Sequence, residues 1–231
     1  MVGTLSLPVG ALAASDPLLR GLVGWYRMQG DVNDHSGKGN NGTLVNGPLT
    51  AATDKFSNSG GAYTWVYATH QYVTLANSSP LYSTTTPYSV AAWIKCPTSA
   101  KAIYCDFAST SGYAHFFLFV ETKIKVLLQK SNGAALLNYV ASTTTAATNT
   151  WHHIVWSDNA GAATLYIDGA ADATNFTYTA SALGATLDRS TIGADQNNNS
   201  QYDGSMSDVR LYNRALSAGE AHSLYAATQR I

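Results

Sequence analysis

The sequence predicts an all-β fold, a two-sheet antiparallel sandwich, and three observations carry that reading. Strand-sized stretches bounded by Gly, Asn and Asp turns recur roughly every 8–14 residues. The composition suits strands, with 14 Tyr, 5 Trp and abundant Thr against only 12% charged residues. Helical periodicity is nearly absent before Ser217. With 231 residues, 45% of them hydrophobic, the chain has ample material for one core and no linker-like break that would divide it.

Residues 1–20 read as an N-terminal arm and residues 21–231 as the domain. Leu5 to Ala14 is mildly apolar and ends in Ala-Leu-Ala-Ala-Ser15, which imitates a signal-peptidase site. No Lys or Arg precedes it, however, and Pro8 and Gly10 interrupt it. The arm reads as a docking segment, on its own sandwich or on a neighbouring subunit, with a retained leader as the plain alternative.

Leu22 to Tyr26 is the first strand, and Gln29 to Gly47 a long Gly/Asn loop. Ala62–Tyr67 and Gln71–Leu75 read as paired strands. Ser89 to Lys95 alternates cleanly: Val90, Ala92 and Ile94 point to the core, and Ser89, Ala91, Trp93 and Lys95 point away. His115–Val120, Thr122–Gln129 and Ala134–Val140 form a meander that turns at Ser131-Asn132-Gly133. A Thr/Ala-rich connection follows. Trp151–Ser157 and Ala163–Ile167 flank a turn over Asp158–Gly161, and Ser190–Gly193 is a short strand before an Asn-rich loop. The last strand starts at the Asp203-Gly204 turn, with Met206, Asp208, Arg210 and Tyr212 on one face and Ser207, Val209 and Leu211 on the other. Ser217 and Glu220 have the spacing of a capping box, opening a short C-terminal helix through His222, Leu224 and Tyr225.

The closing run Tyr202-Asp-Gly-Ser-Met-Ser-Asp-Val-Arg-Leu-Tyr-Asn-Arg-Ala-Leu-Ser217 resembles the end of laminin-G-like jellyroll domains, in the concanavalin A-like lectin/glucanase superfamily. Three further stretches are similar to that family in the same order. They are Gly21 to Gly42, Pro87 to Lys95, and Trp151-His152-His153-Ile-Val-Trp156 with Thr164 to Gly169. The resemblance covers Gly21 to Tyr225 and implies a jellyroll.

Several functions are disfavoured on the residues alone. A net charge of −1 leaves no footprint for nucleic acid, and no run approaches the ~18 apolar residues that span a bilayer. Cys96 and Cys105 read as either a cross-strand disulfide or two buried thiols. Glycoside hydrolysis needs two converging carboxyls. The chain has two glutamates, Glu121 and Glu220, without an acidic partner at strand spacing, and it lacks the Glu-x-Asp-x-x-Glu signature of the family's glucanases. His152 and His153 are adjacent strand residues that point to opposite faces, which favours structural roles over a shared ligand sphere.

The resemblance also implies a calcium site between the opening loop and the closing strand. Asp34 and Asn41 are the ligands expected if one is present. Gln29 and Ser207 stand where the family commonly has acidic residues, which weakens or removes that site. For carbohydrate, the candidates are Asn198, Asn199, Gln201 and Tyr202 of the Asn-rich loop, with Tyr63 and Trp65. Core packing is the bland reading of those rings. The leading expectation is a non-catalytic recognition module for a glycan or protein surface, extracellular or on a particle. The alternative is a phage or virus particle component docked, or self-associated, through residues 1–20. A glycoside hydrolase is a remote third.

Overall fold

The computed structural model describes residues 16–75, 83–97, 101–113, 115–195, 197 and 200–227. In chain order its strands are β1 (Leu22–Tyr26), β2 (Gly42–Val45), β3 (Thr50–Ala52), β4 (Ala62–Trp65), β5 (Tyr72–Leu75), β6 (Tyr88–Lys95), β7 (Ala102–Phe107) and β8 (His115–Val120). They continue as β9 (Lys123–Gln129), β10 (Ala135–Thr145), β11 (His152–Asn159), β12 (Ala162–Ile167), β13 (Ala170–Ala171), β14 (Arg189–Ile192) and β15 (Gly204–Tyr212). One helix, α1 (Ala218–Ala226), closes the described chain.

The strands make two antiparallel sheets, the all-β jellyroll sandwich that the sequence predicts. An eight-stranded sheet runs β13-β12-β11-β6-β15-β4-β3, with β1 also on β15. A seven-stranded sheet runs β10-β9-β8-β7-β14-β5-β2. Between them lies one apolar core. Val90, Ala92 and Ile94 of β6 share it with Phe116, Leu118 and Val120 of β8 and with Val126 and Leu128 of β9. Trp156 sits inside it, edge-on to Phe176 at 5.6 Å. A buried polar relay crosses the core as well: Tyr88 and Tyr104 meet through their hydroxyls at 3.0 Å, and Tyr104 donates to Asp106 at 2.7 Å. Cys96 and Cys105 are buried free thiols.

Four details depart from the sequence reading. The loop from Gln29 to Gly47 contains β2. β4 and β5 do not pair; the first joins the eight-stranded sheet and the second the seven-stranded one. β10 runs on to Thr145, through part of the expected connection. In β15 the register shifts between Ser207 and Arg210, at Asp208, which holds a left-handed φ of 54°. That bulge resets the alternation. Met206 therefore joins Val209 and Leu211 in the core, while Tyr212 turns to the outer face. At the start of β15, Gly204 has φ 140°, and a Cβ there would meet the Lys95 carbonyl oxygen at 2.3 Å.

The outer face of the eight-stranded sheet is covered by its own chain. Leu18 and Leu22, with Leu216, Ala221 and Leu224 at and around α1, bury Trp25, Ala91, Val155 and Tyr212. The expected capping box is present, with the Glu220 amide donating to Ser217 Oγ at 3.3 Å and the Ser217 amide to Glu220 Oε2 at 2.9 Å. Arg214 fastens the layer, donating to the Arg20 and Pro17 carbonyls and pairing with Glu220 at 2.8 Å. Residues 16–20 of the arm thus pack on their own sandwich; residues 1–15 lie outside the described residues. Among the described residues, no helix is long and apolar enough to cross a membrane.

Candidate functional site

The outer face of the seven-stranded sheet is also apolar, but here the rings border a hollow. Strand alternation sends Phe116 and Leu118 inward and Phe117 and Phe119 outward. The two outward rings stack at 4.6 Å between centroids, 9° from parallel, beside Leu127 of the neighbouring β9. One strand further, Tyr139 meets Phe119 edge-on at 5.6 Å and stays 52% exposed. Its backbone is strained, with φ 51° at a register shift between Leu137 and Val140. A left-handed tyrosine costs energy that its surroundings must offset, and such outliers concentrate at functional sites.

These rings line a pocket of about 220 Å³ whose rim is polar. Lys101 and Glu121 contribute to one part of the rim, with Glu121 paired to Lys125 at 2.5 Å. Asp195 and Ser200 come from the two flanks of the Asn-rich loop. Ser200 is held to β7 by the Ala102 amide at 3.0 Å, and Asp195 accepts from the Asn197 amide at 3.0 Å. His115, the first residue of β8, is 3% exposed and hydrogen-bonds the Tyr113 backbone. Burial pushes its pKa below the ordinary histidine range, so the ring is neutral at physiological pH. A larger hollow of about 340 Å³, bordered by Ser83, Thr84 and Thr85, has Leu183 and Leu187 but neither a ring nor a titratable group on which a ligand could orient.

Comparison with known families agrees with this architecture. The profile of the laminin-G-type family of concanavalin A-like lectins and glucanases matches residues 67–222. The chain belongs to the concanavalin A-like lectin/glucanase superfamily. Among solved structures, domain 4 of an extracellular arabinanase from Geobacillus stearothermophilus, in complex with arabinotriose, superposes with a TM-score of 0.67 at 18% identity, covering 88% of this chain and 98% of that one. The binding domain of Paraclostridial Mosquitocidal Protein 1 gives 0.69 at 16% identity, covering 90% of this chain and 52% of that one. The binding domain of botulinum neurotoxin DC, in complex with rat synaptotagmin II, gives 0.65 at 12% identity over 92% and 52%. The chain spans about half the length of those two toxin domains. At these identities the likeness establishes the fold. No curated protein matches in sequence.

Within this superfamily fold, the sequence-derived sugar candidates land mostly in the interior. Trp65, Tyr202 and Gln201 are buried, at 1%, 0% and 0% exposure, so none offers a free surface to a ligand. Tyr202 packs edge-on against Trp65 at 6.1 Å as part of the core. Tyr63 is half-buried beside Trp65. Asn198 and Asn199 lie outside the described residues, although the flanks of their loop border the pocket.

The donor set of the opening loop does not fit the calcium that the resemblance implies. Each oxygen of Asp34 already accepts two hydrogen bonds: Oδ1 from the Trp25 and Ser36 amides, Oδ2 from Ser36 Oγ and the Asn40 amide. Burial raises the Asp34 pKa, but those donors outweigh it and the net shift is downward. Asn41 Oδ1 accepts from the Asp34 amide at 3.0 Å. Aimed N–H groups stabilise the carboxylate in place of a cation. Ser207 is buried opposite Trp93, and Gln29 is exposed. Among the described residues, no group of three or more His, Cys, Asp or Glu is placed to hold a metal.

The two histidines diverge as strand geometry requires. His153 is buried against Trp93, ring centroids 4.9 Å apart, and burial pushes its pKa down to about 4. His152 bonds Asp168 at 2.8 Å and Thr148 Oγ1 at 2.7 Å. That connectivity is a hydroxyl–imidazole–carboxylate series, but Thr148 is exposed on a turn, where bulk water competes with any activated hydroxyl. The series instead pins the turn before β11 onto the end of β12.

The residues that reasoning from sequence missed are Phe117, Phe119, Tyr139, Lys101 and His115. A signal for the first two was available. His115-Phe-Phe-Leu-Phe-Val120 is apolar on both faces, whereas a sandwich strand has only one core-facing side.

Proposed function

We propose that the protein is a non-catalytic recognition module that binds carbohydrate at the pocket beside Tyr139 on the outer face of its seven-stranded sheet. The observation that carries this reading is the strained, half-exposed Tyr139, standing beside Phe119 over a pocket with a mixed polar rim. Sugars present apolar C–H faces and hydroxyls together, and such a surface matches both. The arabinanase domain in complex with arabinotriose shares the fold and lends support by analogy.

The chemistry of the carboxyls supports binding over hydrolysis. Glu220 is consumed by its helix cap and by Arg214, and Glu121 is held by Lys125. A proton donor and a nucleophile would both have to be free. The particle-component reading depends on residues 1–20, whose described part docks on the same chain. A glycan array followed by titration calorimetry tests the proposal. A hit is expected that weakens at least tenfold in Tyr139→Ala, worth about 1.4 kcal/mol. An array without hits would overturn it.

A further inference from the structure

On the outer side of the eight-stranded sheet, three rings surround one cation. The Lys55 ammonium lies 4.6 Å from the centroid of the Trp93 ring, 5.6 Å from Phe56 and 5.8 Å from Tyr225. All three distances fall within the ~6 Å over which a ring face attracts a cation. We infer that these rings form a binding site for a quaternary ammonium group, and that the chain's own Lys55 occupies it at rest. The site is independent of the carbohydrate pocket, which lies on the other sheet.

The walls come from three separate elements. Trp93 stands on β6, and Tyr225 of the last turn of α1 stacks on it at 5.7 Å, 29° from parallel. Phe56, from the loop between β3 and β4, meets Trp93 edge-on at 6.0 Å and 75°. Asp54 fixes that loop: its carboxylate accepts from the Phe56 amide at 2.8 Å and from the Asn58 amide at 2.9 Å. Phe56 and Lys55 are thereby set over the sheet. His153 backs the cage, 4.9 Å from Trp93, and as a neutral ring it adds no competing charge.

Lys55 is placed as an occupant, not as a structural ion. Among the described residues, no carboxylate pairs with it and no hydrogen bond fixes it. It is exposed, while the Trp93 beneath it is wholly buried, so the lysine is the lid of the cage. Exposed side chains change rotamer within nanoseconds, and lifting this one needs no backbone movement. The chemistry of the rings then decides which cation they prefer. A lysine ammonium is compact and strongly hydrated, so it gives up bound water to sit against a ring. A trimethylated nitrogen carries the same charge on an apolar surface, keeping the attraction and adding contact area. Such a ligand has to overcome only the tether that keeps Lys55 close at hand.

The test is a titration of the intact chain and of Lys55→Ala with tetramethylammonium, choline and trimethyllysine amide. Sodium chloride at matched ionic strength and tert-butylethanol, the uncharged isostere of choline, are the controls. The indole N–H of Trp93, which is buried without a partner, reports binding by its chemical shift. Lys55→Ala is expected to bind at least tenfold tighter than the intact chain, because the tethered competitor is gone. The isostere is expected to bind at least tenfold more weakly than choline. Adding Phe56→Ala to that variant is expected to lose at least fivefold. Should Lys55→Ala misfold, the unmodified chain decides: on saturation its Lys55 Hε protons are expected to leave the shielding of the rings. Choline and trimethyllysine amide distinguish a small-molecule source from a modified side chain, and equal binding by all three supports a site that reads the charged head alone. A Trp93 signal that no quaternary ammonium moves in either chain, or an isostere that binds as well as choline, would overturn the site. Affinities unchanged by Lys55→Ala, or Lys55 protons that stay shielded at saturation, would remove Lys55 as its occupant.

Discussion

The two outer faces of this sandwich carry similar apolar content and treat it in opposite ways. On the eight-stranded sheet, the chain folds back over its own surface. Trp25 donates its indole N–H to Asp208, Arg210 forks onto the same carboxylate at 2.9 and 3.1 Å, and the Arg27 and Arg210 guanidiniums lie 4.3 and 4.6 Å from the Trp25 ring. Trp93 is closed over by Tyr225, Phe56 and Lys55. On the seven-stranded sheet, the buried Phe117 and Phe119 line a pocket beside the exposed Tyr139. On the first face bonded charges serve stability; on the second Phe117 and Phe119 are as buried as Trp25, and among the described residues the exposed ring beside the pocket is Tyr139.

Substitutions should therefore separate the faces. The largest effect is expected from Asp208→Ala, which strands a buried Arg210 and removes the acceptor of the Trp25 indole. A loss of about 3–5 kcal/mol is expected by urea unfolding, whereas binding by the fraction still folded should be unchanged. A wild-type midpoint in this variant would break the contrast.

Acid should act next. His153 is pushed down to about 4 from 6.5. It is neutral in both states above pH 6.5, whereas below that the unfolded chain takes up a proton that the folded chain refuses. Stability is thus full above pH 6.5 and falls by up to about 3 kcal/mol as pH drops to about 4. His115 shifts in the same direction and adds to the slope. Melting curves across that window are expected to flatten in His153→Phe; an unaltered slope would contradict the assignment.

Smaller effects sharpen the other face. Ser217→Ala removes the capping hydroxyl on the sealed side and is expected to cost about 1 kcal/mol, read as a lower melting temperature. Tyr139→Ala should change stability by no more than about 0.5 kcal/mol, because the ring is half-exposed and its backbone strained. Smallest of all, chelator is expected to leave the melting temperature unmoved, since Asp34 is already saturated by protein donors.

Much of the frame was legible in the chain. The alternation of Ser89 to Lys95, the hairpin around Asp158–Gly161 and the capping box at Ser217 are local patterns, and local patterns survive folding. The strand Gly42–Val45 escaped notice because it is short and set among glycines and asparagines. The bulge at Asp208 escaped because a left-handed aspartate leaves no periodic trace, and it separates Met206, in the core with Val209 and Leu211, from Tyr212 on the outer face. For the site, composition misled. Tyr202 and Trp65 look like sugar platforms, but their exposure is a tertiary property, and both are interior. The pocket draws on Lys101 just before β7, on β8, β9 and β10, and on the loop after β14, positions that the sheet order brings together.

The most direct test is to map where a bound sugar touches the protein. Backbone and aromatic chemical shifts should be followed while the best ligand from a glycan array is added. The largest changes are expected at Phe117, Phe119, Tyr139 and His115, with the sealed face around Trp25 and Trp93 silent. Changes centred instead on Trp25 and Trp93, or on the exposed Val66 and Tyr67, would place the binding surface elsewhere and contradict the account.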